Sequence, residues 1–280
     1  MELKKIEGQT FGQERALYAS RGVWLRGCAF DGEQDGESAL KESREVVVED
    51  SFCNLRYPFW HDVDLVIRRT EMTPLCRAAL WYSQKIVIED SLLHGIKALR
   101  ECADVEMRGC EIQSPEFGWF TRGLSMRDCR AEGEYFLLHA SDVNLHHFTL
   151  QGKYSFQYVE NLEITDSELN TKDAFWHAKH VTLRNCRVKG EYLGWYSEGL
   201  TMIDCEISGT QPFCYCKDLC LVNCKLTDAD LCFEKSDVTA TLTTPVVSIK
   251  NPRSGSIRLP AVGELIMDDP DARGEVILSN

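Results

Sequence analysis

Three side chains in the N-terminal third have the types needed for proton transfer. His61 and Asp62 are adjacent, and Glu42 precedes His61 by 19 residues. An imidazole beside a carboxylate is the usual equipment of general acid–base catalysis, so His61, Glu42 and Asp62 are the catalytic candidates. Lys41 and Trp60 flank them, and two insertions, DGEQDGE from Asp31 and TPLCR from Thr73, lie on either side in sequence. A second cluster, CYCKDLCLVNC from Cys214 to Cys224, resembles a metal motif at first sight. Its C-x-C-x3-C-x3-C spacing matches no zinc finger or ribbon, so neither a metal nor another cofactor is expected.

A third set of residues is aromatic and evenly spaced. Trp60, Trp81, Trp119, Trp176 and Trp195 are each followed directly by His61, Tyr82, Phe120, His177 or Tyr196, while His139 and Tyr158 continue the second series. Indole and phenol rings pack on the apolar faces of sugars, with His and Tyr offering hydrogen bonds beside them. Trp60, Trp81, Tyr82, Trp119, His139, Tyr158, Trp176, His177, Trp195 and Tyr196 are therefore the candidate ligand-binding residues, with a carbohydrate as the ligand. The same face would also serve a protein partner or a second copy of the chain.

These residues share a spacing because the whole chain is built on one. A short phrase recurs eleven times: apolar, any, apolar, two polar residues, a small residue, any, apolar. It reads VWLRGCAF from Val23, LVIRRTEM from Leu65, VTLRNCRV from Val181 and LCLVNCKL from Leu219. From Ser91 onward its sixth position recurs every 19 residues; earlier gaps are 23, 19 and 21. The internal period is two, which predicts strands. A second and a third short apolar segment follow in each repeat, with a glycine corner between them at Gly133, Gly152, Gly190 and Gly209. Three strands per repeat without a helical stretch predict an all-β chain, a single-stranded right-handed parallel β-helix of about 11 coils stacked roughly 4.8 Å apart.

One domain is expected over residues 1–280: a cap at 1–16, regular coils at 17–237, and irregular or antiparallel closing strands at 238–280. On this ruler His139 and His177 lie two coils apart, too far to share a metal, and Glu101 and Glu234 are too distant to act as a glycosidase pair. The column Ala19, Glu42, His61, Tyr82, Glu101 has the parity of the interior and the polarity of the surface, so the strand must turn there. Asp104, Asp142, Asn161, Asp218 and Asp237 read as turn residues.

With these repeats, the chain resembles an uncharacterised bacterial family of pectate-lyase-like right-handed parallel β-helix proteins, a domain of unknown function. The resemblance covers nearly the full length and implies the fold; it implies no reaction. The paired Asp with GHG and RIK of polygalacturonases is missing, as is the calcium-binding Asp cluster with its arginine of pectate lyases.

Composition bounds the rest. Hydrophobic residues make up 44% and charged residues 27%, as in a folded soluble chain. A net charge of −13 argues against a nucleic-acid partner, and 31 interspersed bases argue against a one-signed mimic of DNA. No apolar run is long enough to cross a membrane. The N-terminus lacks an apolar signal core, and thirteen cysteines, six of them in one predicted interior column, suit a reducing compartment. A cytoplasmic location is expected.

Overall fold

The computed structural model describes residues 3–279, which form two compact units, one ending at Val143 and the other beginning at Asn144. Among the described residues every regular element is a strand. In the first unit, Lys4–Glu7, Arg21–Arg26, Arg44–Glu49, Val63–Arg68, Gln84–Glu89, Ala103–Arg108 and Arg122–Arg127 pair in succession, always parallel. A second row of shorter strands runs from Thr10–Phe11 to Arg130–Glu134. A third row contains Phe59–Trp60, Leu80–Trp81 and Leu99–Arg100. The second unit repeats the arrangement, with a long-strand row from Glu160–Thr165 to Glu275–Leu278. The chain is a parallel β-solenoid.

The pairing register is the sequence ruler itself: Val23 faces Val46, which faces Leu65, which faces Ile86. Positions one, three, six and eight of each phrase are buried, as in Leu65, Ile67, Thr70 and Met72, or Val181, Leu183, Cys186 and Val188. A one-residue slip would send this whole apolar set outward, and that fixes the register.

The coil count is about 14, larger than the eleven expected. Both ends contribute. Lys4–Glu7 and Thr10–Phe11 pair parallel with the next coil, so the N-terminal segment is itself a turn of the solenoid. At the other end Asp237–Leu242, Ser254–Leu259 and Glu275–Leu278 stay parallel, and Val246–Lys250 pairs parallel with Val262–Ile266. The closing strands, expected to be irregular or antiparallel, pair parallel among the described residues. Those strands keep the two-residue alternation but lose the nineteen-residue phrase that made the other coils legible.

Corners use the left-handed backbone region, several times per coil. Asp50, Asp90, Asp128, Asp166, Asn185, Asp204 and Asn223 have φ between 49° and 53° where the long strand ends. Asp64, Asp104, Asp142, Asn161 and Asp218 have φ between 50° and 59° where it begins. Asp and Asn tolerate this conformation better than other residues with a Cβ, which explains both polar columns. Asp237 is an exception, being held by Arg253 and Ser254 instead.

The cysteine column is a hydrogen-bond ladder as well as a packing column. The backbone N–H of Cys28 donates to Ser51 Oγ at 3.1 Å, and that of Thr70 donates to Ser91 Oγ at 3.1 Å. The thiols of Cys110 and Cys186 point at carbonyls of the preceding coil, Ile88 and Ile164, each at 3.5 Å. A small group able to donate and accept fits these rungs, so Ser, Thr and Cys alternate, with Phe148 the exception. All thirteen cysteines are free, and twelve are buried.

Candidate functional site

The proposed acid–base cluster does not assemble. Asp62 is fully buried, in a second interior ladder with Ser43 and Ser83. Its Oδ1 accepts the Ser43 backbone N–H at 2.8 Å, while its own N–H donates to Ser83 Oγ at 2.9 Å; Oδ2 has no partner. Burial pushes its pKa up to about 8, against the lowering effect of the Ser43 bond. The strand turns between His61 and Asp62, with His61 at φ 61°, so the two neighbours leave on opposite sides of the coil wall. Glu42 accepts the Tyr18 hydroxyl at 2.7 Å. His61 is exposed and stacks on Tyr82 at 5.0 Å and on Trp60 at 5.9 Å. The two insertions converge elsewhere: Asn54 binds Asp31 at 2.9 Å and Thr73 at 2.6 Å. Gly32, Asn54, Leu55, Leu75 and Arg77 border a pocket of about 280 Å³ that none of the three candidates lines.

The tryptophans lie half-buried, with their ring faces already covered. Trp60 stacks on Trp81 at 5.8 Å, and Trp176 on Trp195 at 5.5 Å. The Lys41 ammonium lies 4.1 Å from the Trp60 ring centre, and the Arg100 guanidinium lies between Trp81 and Trp119, at 5.5 and 5.2 Å. Trp81 donates its indole N–H to Glu101, while Trp60 Nε1 is buried without a partner. The other three indole N–H groups of this column are spent on the corner of the next coil: Trp119 on the Tyr135 carbonyl, Trp176 on that of Tyr192, Trp195 on that of Gln211. Gln157, occupying the same column, makes the same bond to Asp173. This column braces the wall.

The neighbouring column is different. Glu42, His61, Tyr82, Phe120, His139, Tyr158, His177, Tyr196 and Tyr215 all adopt positive φ, between 54° and 63°, where the strand was expected to turn. The left-handed conformation swings each side chain outward despite its inward parity. In the second unit Tyr158, His177, Tyr196 and Tyr215 stack continuously, with centroids 4.9, 5.0 and 4.8 Å apart and planes within 9°. In the first unit the series is shorter: His61 with Tyr82, then Phe120 with His139 at 5.1 Å, separated by Glu101. Faces are consumed by stacking, so the polar edges, phenol hydroxyls and imidazole nitrogens, look outward.

A cluster not anticipated from the sequence lies in the second unit. One ring nitrogen each of His146 and His147 and a carboxylate oxygen of Asp166 fall within 4.8 Å of one another. The signal was on the ruler, since His147 and Asp166 are 19 residues apart in the same turn column, where histidine stands in place of Asp, Asn, Gly or Arg. The CYCKDLCLVNC segment, by contrast, does not converge: Cys214, Cys216 and Cys224 are buried and Cys220 is half-exposed. Burial pushes the Cys214 thiol up to about 12 and the Cys216 thiol up to about 11.

Parallel coils with like side chains in register define a parallel β-helix protein. The chain belongs to the family described as "Protein of unknown function (DUF3737)", whose model matches residues 4–277. No curated protein matches the sequence. Similar solved structures include the mannuronan C-5 epimerase AlgE4 A-module of Azotobacter vinelandii, 11% identical, covering 98% of this chain and 89% of that one, with a TM-score of 0.33. The tailspike protein of E. coli bacteriophage HK620, in complex with a pentasaccharide, is 8% identical; the match covers 91% of this chain and 61% of the tailspike, with a TM-score of 0.45. At these scores neither likeness bears on activity.

Proposed function

We propose that this protein binds a carbohydrate chain edge-on along the Tyr158–His177–Tyr196–Tyr215 column, without transforming it. The observation that supports this most is the step of the column. Ring centres repeat every 4.8–5.0 Å, close to the length of one pyranose in an extended saccharide, so successive hydroxyl and imidazole edges meet successive sugar residues. Tyr158 and Tyr196 are 45% and 46% exposed, and His177 between them is exposed as well. Ligand contact moves from Trp176 and Trp195, which stack on each other and whose N–H groups are engaged, to the tyrosines and histidine beside them. Catalysis at His61 has no support, because Asp62 is buried and Glu42 is turned to Tyr18. The buried free thiols favour a reducing compartment, and we assign the chain to the cytoplasm.

The test is calorimetry of the intact protein against neutral oligosaccharides of increasing length, repeated on Tyr196→Ala and on Trp176→Phe. Affinity should rise from disaccharide to tetrasaccharide, fall about tenfold or more in Tyr196→Ala, and stay within about twofold in Trp176→Phe. Failure of every saccharide to bind, or indifference to Tyr196→Ala, overturns the reading. The rival is a protein partner on the same face, favoured by the half-covered tryptophan wall beneath; it predicts that Tyr196→Ala abolishes a complex while no saccharide competes.

A further inference from the structure

The geometry points to a divalent transition-metal site formed by His146, His147 and Asp166. Consecutive residues of a strand ordinarily send their side chains to opposite faces. His147 has φ 48°, and the resulting turn brings the two imidazoles together, with ring centres 3.9 Å apart. Asp166 sits one coil further on, and its two oxygens have separate tasks. Oδ1 accepts the Asn185 amide at 2.6 Å, which orients the carboxylate, and Oδ2 lies 3.4 Å from His146 Nδ1. Thr165 Oγ1 lies 2.8 Å from the same nitrogen and is the contact an incoming ion would displace. An outer hydrogen bond such as that from Asn185 to Asp166 is what aligns a metal ligand.

The spacing is suited to an ion. Ligands bound at about 2.0–2.2 Å in tetrahedral geometry stand roughly 3.3–3.6 Å apart. His146 and Asp166 are already at that distance, and the exposed His147 offers a ring nitrogen within 4.8 Å of both. Two imidazoles and one carboxylate are a borderline donor set that suits Zn²⁺ and its neighbours and does not suit Ca²⁺ or Mg²⁺, which take oxygen ligands. A groove of about 420 Å³ runs from His147 and Asp166 past Glu168, Asp204 and Glu206. Arg187 is occupied between Glu168 at 3.0 Å and Glu206 at 3.3 Å. The acid-rich wall draws cations in, and three protein ligands leave a fourth position facing the groove for water or a ligand atom.

Two conservative variants test this on the full chain, stripped of metal and kept reduced. His147→Asn and Asp166→Asn both place a residue tolerant of the left-handed region, and Asp166→Asn keeps the acceptor for Asn185. Titration with Zn²⁺ should show one ion per chain, weakened at least about tenfold in either variant, with Ca²⁺ and Mg²⁺ failing to compete. Co²⁺ should give visible d–d bands without a thiolate charge-transfer band. In the unaltered protein, Zn²⁺ should shift the ring resonances of two of the seven histidines, a readout that needs no variant. Three results overturn the proposal. One is a thiolate band, which transfers the ion to cysteine. Another is equal Zn²⁺ affinity in the variants. The third is no Zn²⁺ binding by the unaltered chain, which leaves His146 and Asp166 as an ion pair alone.

Discussion

Asp62 stands where every argument about this wall calls for a hydroxyl. Ser43 and Ser83, one coil to either side, accept a backbone N–H and donate to the carbonyls of Leu17 and Phe59. Asp62 can accept, but when ionised it cannot donate, and its second oxygen is orphaned. The folded protein therefore holds the proton: a pKa of about 8 stands against the ordinary 3.8 of an aspartate. A raised carboxyl pKa means that the native state binds more protons than the unfolded chain between those values, so stability falls as pH rises from about 4 to about 8. The loss is bounded at roughly 6 kcal/mol. Replacing Asp62 by Ser restores the donor and removes the titration. Urea unfolding at several pH values should show the unaltered protein weakening across this window while Asp62→Ser stays level and is the more stable above pH 6. Parallel curves would count against this account of the ladder.

At the scale of the coil, corners decide what is tolerated. Gly209 has φ 134°, and a Cβ built on it would lie 1.9 Å from the Gly190 carbonyl oxygen, a backbone atom with nowhere to go. Gly209→Ala should cost about 2–4 kcal/mol in chemical denaturation. The contrast is His180, with φ 52° in the column that also holds Gly123 and Gly199. His180→Gly relieves a strained conformation while gaining chain entropy in the unfolded state, and should fall within about 1 kcal/mol of the parent. An equal loss in both would mean that the corners are not backbone-limited. The same corners explain what could be read in advance. Strand order, register and the buried set were legible because Leu65, Ile67, Thr70 and Met72 recur in kind, coil after coil, and the period alone places them. The fate of His61 and Asp62 was not, because a single left-handed residue separates outside from inside and no alternation rule carries that reversal. The column of His61, Tyr82 and Tyr196 betrayed itself only through polarity at interior parity. His147 and Asp166 were aligned on the same ruler, yet their closeness depends on the turn at His147, which brings the side chain back beside its neighbour.

For the molecule as a whole, the charge of −13 acts on any ligand before a contact is made. Carboxylates that are paired within the wall, such as Glu206 with Arg187 and Lys225, neutralise one another locally and leave the excess distributed over the surface. An excess of one sign raises the local concentration of cations and lowers that of anions, over a distance set by the Debye length of about 10 Å at 0.1 M salt. If the tyrosine column binds saccharides through hydroxyl edges, uncharged chains meet no such field, whereas chains of uronic acids approach against it. Neutral oligosaccharides should therefore bind about tenfold more tightly than acidic ones of the same length at 10 mM salt. At 300 mM the acidic series should gain and the neutral series should not move, because screening removes a repulsion that only the acidic series experiences. Acidic chains that bind more tightly at low salt would locate recognition at a basic site instead, with the pocket beside Arg56 and Arg77 the first place to mutate.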